Sequence, residues 1–232
     1  MQQDPRVIVA LDYSEIEPLR AVVKQLSPSL CRVKIGNILF TRYGPALVEE
    51  LMQQGFDIFL DLKFHDIPAT VAGACRSAAE LGVWMTNLHV ATGERAMVAA
   101  REAIQDFSTP PLLIGVTVLT SLLQQDLQIL TIETDVETLV LQLATLAKQV
   151  GLDGVVCSSQ EAALLRSVLG EDFLLVTPGI RLTQKIEDDQ RRIMTPDAAM
   201  AAGASYLVIG RPITHADNPA QVLEEINMML QA

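Results

Sequence analysis

The sequence predicts a single α/β domain closed into a (β/α)8, or TIM, barrel, and three observations predict it. Eight short β-branched, apolar runs recur along the chain, each followed by a longer stretch with helical spacing, so a βα rhythm runs from end to end. The 232 residues divide into eight units of about 29, close to the roughly 250 residues that such a barrel uses. Half of the residues are hydrophobic and only 4% aromatic, so the core must be built from Val, Ile, Leu and Ala, the residues of parallel strands covered on both faces. One domain spanning 1–232 follows.

The strand candidates, in order, are RVIVAL from residue 6, LCRVKI from 30, DIFLDL from 57, WMTNLHV from 84, LLIGVTVL from 112, DGVVC from 153, FLLVT from 173 and SYLVIG from 205. Helical spacing marks IEPLRAVVKQL, GPALVEELMQQ, PATVAGACRSAAELG, ERAMVAAREAI, ETLVLQLATLAKQVG, SQEAALLRSVLG, TPDAAMAAG and PAQVLEEINMMLQA between and after them. Several close on Gly, which accepts the left-handed turn at a helix end. Right-handed βα crossovers leave an open doubly wound sheet as the other solution. That sheet calls for a glycine-rich turn after the first strand, and VALDYSEIEP has no glycine there. No linker or low-complexity tract interrupts the rhythm; RLTQKIEDDQRRIMT, 181–195, is the longest polar interval and reads as an active-site loop or a solvated one.

A formal net charge of −11 argues against nucleic-acid or membrane-surface partners, both polyanionic, while leaving room for a small anionic substrate held by local cations. Cys31, Cys75 and Cys157 are odd in number, far apart and without metal-ligand spacing, which predicts reduced structural thiols in a cytoplasmic protein. The start MQQDPRVIVALD lacks a basic region followed by an apolar one, and no apolar run approaches the roughly 20 residues of a membrane span. A soluble, unexported protein is expected.

In a barrel of this type, chemistry sits at the carboxyl ends of the strands. Asp12 is read as ending strand 1, Lys34 as ending strand 2, and Asp61 and Lys63 as ending strand 3 at a spacing that turns both to one face, with Asp66 next in the connection. Any one of them has a plain structural reading, Asp66 as a helix cap for instance. Alternating acid and base in DLKFHD directly after an apolar strand is hard to explain as packing. TPGIR, 177–181, and IGRPIT, 209–214, place glycine and arginine after strands 7 and 8, where barrels bind phosphate on backbone N–H groups, with Arg211 and Arg181 as the charged partners. His65, His89 and His215 show no ligand spacing and read as structural or as support behind the site residues, Met228 and Met229 as core of the last helix, and Trp84 as packing at the start of strand 4.

The segment DLKFHDIPATV, 61–71, closely resembles the signature of the orotidine 5′-phosphate decarboxylase family, and VALDY (9–13), RVKIG (32–36), VTVLTS (116–121), TPGIR and VIGRPIT (208–214) extend the resemblance over the whole chain. DxKxxD alone belongs to a wider superfamily; the blocks together, in order, are specific. The resemblance implies decarboxylation of orotidine 5′-monophosphate (OMP) to UMP and carbon dioxide, the last step of de novo pyrimidine nucleotide synthesis, without metal or cofactor. It implies that Asp12 and Lys34 contact the ribose and hold a charged network, while Asp61 and Lys63 face the reacting carboxylate, Lys63 delivering the proton to C6. Asp66, Ile67 and Thr70 would reach into the neighbouring subunit's site in a homodimer, Asp66 completing a tetrad with Lys34, Asp61 and Lys63. Thr120 and Ser121 match the pyrimidine-contacting segment, Gln190 the loop residue spanning phosphate and base, and Arg181, Gly210 and Arg211 the phosphate site. Two alternatives remain: a Mg2+-dependent sugar-phosphate lyase of the same superfamily, whose members resemble this chain around DxKxxD but carry a metal-binding Glu where this chain has Lys34, and a non-catalytic phosphate-ligand barrel, which has no need of the tetrad.

Overall fold

A computed structural model describes residues 4–182 and 193–230. The eight strands are β1 (Val7–Ala10), β2 (Arg32–Gly36), β3 (Ile58–Phe64), β4 (Met85–His89), β5 (Leu112–Val116), β6 (Gly154–Val156), β7 (Leu174–Thr177) and β8 (Tyr206–Ile209). All pair in parallel, in chain order, and β8 pairs back onto β1, so the sheet is a closed barrel without an edge.

Period-two alternation sorts the strand residues into two layers. Ile8 and Ala10 of β1 fill the interior with Phe59, Met85, Ile114, Val176, Tyr206 and Val208. The intervening Val7 and Val9 face outward, into a shell with Leu19, Leu47 and Leu223. A second outer cluster, including Met97, Val140 and Leu165, covers the strands of the middle of the chain. Where β6 meets β7 the interior leaves no room for a side chain: a β-carbon on Gly154 would lie 2.2 Å from the carbonyl oxygen of Leu174.

The helices are α1 (Ile16–Val23), α2 (Asn37–Gln53), α3 (Pro68–Leu81), α4 (Glu94–Ile104), α5 (Gln124–Ile129), α6 (Val136–Gln149), α7 (Ala162–Leu169), α8 (Pro196–Ala201), α9 (Arg211–Thr214) and α10 (Pro219–Met229). Several depart from the sequence reading. α2 begins at Asn37, not Gly44, because Gly44 (φ 61°, ψ −157°) and Pro45 kink a longer helix where the spacing suggested a start. α5 is an additional turn after β5, held by the Asp126 carboxylate, which accepts the Leu123 N–H, and by the Gln124 side chain, which bridges the Thr134 carbonyl and the Val136 N–H. In α10 the buried side chains are Pro219, Leu223 and Ile226; Met228 and Met229 are 62% and 49% exposed, so they are not core. β1 stops two residues short of Asp12, and β2 runs two residues past Lys34.

The amino-terminal mouth of the barrel is closed by a charged and aromatic plug. Arg32, with its side chain 8% exposed, pairs with Asp4 and Asp57 and donates to the Pro5 carbonyl. Its guanidinium lies 4.0 Å above the centre of the Trp84 ring, which meets Tyr206 edge-on at 5.1 Å. Cys31, Cys75 and Cys157 form no disulfide and are buried, and burial pushes the thiols of Cys31 and Cys75 up to about 12. Among the described residues, no helix is long and apolar enough to cross a membrane.

Candidate active site

The carboxyl ends of the strands surround a cavity of about 570 Å³. Nine of the thirteen site residues expected from the sequence line it: Asp12, Lys34, Asp61, Lys63, Thr120, Ser121, Arg181, Gly210 and Arg211. Asp66, Ile67 and Thr70 do not; they are exposed on the β3–α3 connection and the first turn of α3. Gln190 lies outside the described residues.

The charged residues form a chain of contacts across three strands. Lys34 and Asp61 are each about nine-tenths buried at the side chain, with Lys34 Nζ 3.3 Å from Asp61 Oδ2. Lys34 Nζ also donates to Asp12 Oδ1 at 3.1 Å, and Lys63 Nζ donates to Asp61 Oδ1 at 2.6 Å. The parallel register produces this: Gly36 pairs with Asp61, so Lys34, one inward step earlier on β2, reaches up to the carboxylate. Burial works to lower the Lys34 pKa, but the Asp61 and Asp12 carboxylates outweigh it and hold the ammonium above its ordinary value. Burial likewise works to raise Asp61, and Lys34, Lys63 and Asn87 outweigh it, holding the carboxyl below its usual range.

Asn87 is a member of this group that sequence reasoning missed. It is fully buried on β4, donates from Nδ2 to Asp61 Oδ1 at 2.7 Å and accepts the Lys63 backbone N–H on Oδ1 at 2.8 Å. Only the inward phase of β4, which Met85 sets in the structure, puts Asn87 beside the strand that carries Asp61. His89, one inward step further, stacks at 5.1 Å on His65. Burial, then the neighbouring His65 and Lys63, lower its pKa against the pull of Asp61. It therefore adds no strong cation at neutral pH.

On the other side of the cavity stand the two glycine-arginine segments. Gly179 adopts φ 80°, a turn that glycine takes without steric cost. The backbone N–H of Arg181 bonds the Met194 carbonyl and that of Met194 the Gly179 carbonyl, so the two ends of the connection after β7 are joined. Arg211 opens α9 directly after Gly210, and Arg181 and Arg211 both face the same cavity as Lys63. The arrangement thus offers a cationic and glycine-lined end suited to phosphate, and a buried acid-base cluster at the other end.

Comparison with known proteins bears on what this cavity holds. Residues 5–226 match the model of the orotidine 5′-phosphate decarboxylase / HUMPS family. The chain is 59% identical over 226 residues to an orotidine 5′-phosphate decarboxylase of Coxiella burnetii, covering 97% of this chain and 96% of that protein. It is 57% identical over 228 residues to that of Vibrio cholerae, covering 98% and 99%. The crystal structure of orotidine 5′-phosphate decarboxylase from Lactobacillus acidophilus superposes with a TM-score of 0.88 at 37% identity, covering 99% of this chain and 100% of that one.

Proposed function

This chain belongs to the orotidine 5′-phosphate decarboxylase / HUMPS family, and from that premise we propose how its cavity decarboxylates OMP to UMP and carbon dioxide. The observation that carries the mechanism is the Lys34–Asp61–Lys63 cluster at one end of a cavity with Arg181 and Arg211 at the other. Loss of carbon dioxide from C6 leaves an electron pair in the plane of the pyrimidine ring, with no adjacent carbonyl to receive it. The protein must supply the stabilising charge. The Lys63 ammonium stabilises the developing carbanion and then protonates C6. Asp61, held as a carboxylate by Lys34, Lys63 and Asn87, repels the substrate carboxylate, and this repulsion disappears as neutral carbon dioxide forms.

Asp12 and Lys34 bind the ribose in this reading, Thr120 and Ser121 the pyrimidine, and Arg181, Gly210 and Arg211 the phosphate, with Gln190 joining phosphate to base. Binding energy at the distant phosphate then organises the charged end, so it serves turnover as well as affinity. A Mg2+-dependent lyase reading is disfavoured by the buried Lys34 ammonium, 3.3 Å from Asp61, which would repel a divalent cation there. A cytoplasmic location belongs to the same reading and is supported by three buried cysteines outside any disulfide; the net charge of −11 speaks against polyanionic partners.

The active unit in this reading is a homodimer with shared sites. Support comes from the β3–α3 connection, where Asp66 and a 68% exposed Ile67 stand away from their own cavity. The Asp66 carboxylate accepts the Ile67 N–H at 2.6 Å, and Thr92 Oγ1 donates to the Asp66 carbonyl at 2.7 Å, which fixes the outward direction of the segment. In a two-fold dimer this connection crosses reciprocally and brings Asp66, Ile67 and Thr70 to the partner's substrate.

The direct test is EDTA-treated protein incubated with OMP and followed by UMP formation; folded protein without turnover would sink the reading. Sharing is tested by refolding Lys63→Ala and Asp66→Ala chains together. Random pairing makes about half the dimers mixed, each with one intact site, so a one-to-one mixture is expected to recover roughly a quarter of wild-type activity. Mixed dimers no more active than either variant alone would confine Asp66 to its own subunit.

A further inference from the structure

Lys63 occupies a backbone conformation that its own side chain disfavours. Its φ is +52°, in the left-handed region; among the described non-glycine residues only Thr131, in an exposed turn, shares a positive φ. Strand pairing does not hold it there, because the β3–β4 register shifts between Leu60 and Phe64, around Lys63 itself. What meets its N–H is the Asn87 side chain, at 2.8 Å. The other half of the same amide donates at 2.7 Å to Asp61 Oδ1, the oxygen that also receives the Lys63 ammonium at 2.6 Å.

We propose that Asn87 is a positioning residue for the decarboxylation, its one amide group fixing both the bulged backbone that aims Lys63 into the cavity and the carboxylate oxygen that faces it. The proposal rests on the functional reading above and adds to it a residue that touches no substrate. The task requires a donor and an acceptor on one short planar group, buried and free of charge, and among uncharged side chains of this length only Asn has both. Asp would keep the acceptor and lose the donor; Thr is too short to reach both partners. Full burial of Asn87 makes the arrangement rigid, since neither half of the amide can turn to water instead.

Three variants test it: Asn87→Ala, Asn87→Thr and Asn87→Asp, each with a thermal melt, steady-state kinetics on OMP, and the titration of the Asp61 carboxyl followed by carbon-13 NMR without ligand. The groups that surround that carboxyl are Lys34 on β2, Lys63 on β3, Asn87 and His89 on β4, and Asp12 through Lys34. The Ala and Thr variants are expected to lose about 10–100-fold in kcat with KM within about threefold, the size of a lost hydrogen bond to a charged group acting only on the reacting geometry. The Asp61 titration is expected to move upward in all three. Asn87→Asp alone is expected to keep the Lys63 amide protected from hydrogen exchange, since it keeps the acceptor.

A kcat in folded Ala and Thr variants within about threefold of wild type, an activity loss that merely follows the unfolded fraction, or an Asp61 titration unmoved in every variant would each overturn the proposal. The titration needs no substrate and judges Asn87 independently. Failure of the wild-type protein to make UMP would instead overturn the functional reading.

Discussion

Arg32 and Lys34 stand two residues apart on β2 and point the same way, into the barrel, one toward each of its mouths. Both are buried cations with two carboxylate partners, Asp4 and Asp57 for Arg32 and Asp12 and Asp61 for Lys34. They differ in what completes their surroundings. Around Arg32 the remaining space is taken by the Pro5 carbonyl and the Trp84 and Tyr206 rings, all supplied by the chain. Lys34 borders a cavity of about 570 Å³. Buried ion pairs are at best weakly stabilising and are costly to break. The lower cluster is thus a fixed part of the fold, whereas the upper one leaves part of its field for a ligand, and its partner Lys63 is 30% exposed at the side chain.

The largest expected effect tests the upper end. Lys63→Ala is expected to lower single-turnover UMP formation by more than about a thousandfold, the scale of a lost proton donor combined with lost charge stabilisation. The melt should move little, because Asp61 keeps Lys34 and Asn87. A folded variant with a near-normal rate would remove Lys63 from the proton-donor role.

At the lower end the outcome should invert. Arg32→Ala removes the partner of the half-exposed Asp4 and Asp57 and empties the space beneath Trp84, for an expected loss of about 2 kcal/mol from lost hydrogen bonds and ring stacking, or roughly 5 °C in the melt. The rate per folded active site is expected to stay within about threefold. An intact melt with a lost rate would show that the two mouths are coupled through β2.

A smaller effect sharpens the boundary between them. Gly36 has φ −102° and ψ −172°, extended backbone open to any residue, so glycine is not needed there for conformation. A β-carbon at Gly36 would nevertheless sit 3.2 Å from Lys34 Nζ and 3.6 Å from Asp12 Oδ1. Gly36→Ala is expected to displace the ammonium slightly and reduce kcat/KM by roughly 3–10-fold with an unchanged melt. A variant equal to wild type in both would show that the Lys34 position is not critical.

The contrast also explains which features are legible in the sequence alone. Strands were legible because β-branched runs bounded by turns have few other uses, and the upper charges because Asp61 and Lys63 interrupt such a run. The Arg32 plug was not legible, since its ring partners Trp84 and Tyr206 are far along the chain and are brought over the guanidinium only by the barrel. Asn87 was hidden because an uncharged polar residue inside a strand has no pattern of its own until the inward positions of β4 are known. The start of α2 was obscured by Gly44-Pro45, which resembles a boundary and is a kink. Helix α5 was missed because six residues provide too little periodicity to recognise.

Closure of the barrel has a further consequence, for the order in which the molecule is made. Ile8 pairs with Val208 across the seam, and the Tyr13 hydroxyl donates to the Thr214 carbonyl at 2.8 Å, so nearly the whole chain separates groups that touch. Asp12, just after β1, shares its cavity with Arg211, just after β8. During translation β1 must wait with one flank unpaired until β8 leaves the ribosome. A nascent chain lacking β8 would thus hold Asp61 and Lys63 without the arginine that completes the cavity, and catalytic competence would arrive in a single late step.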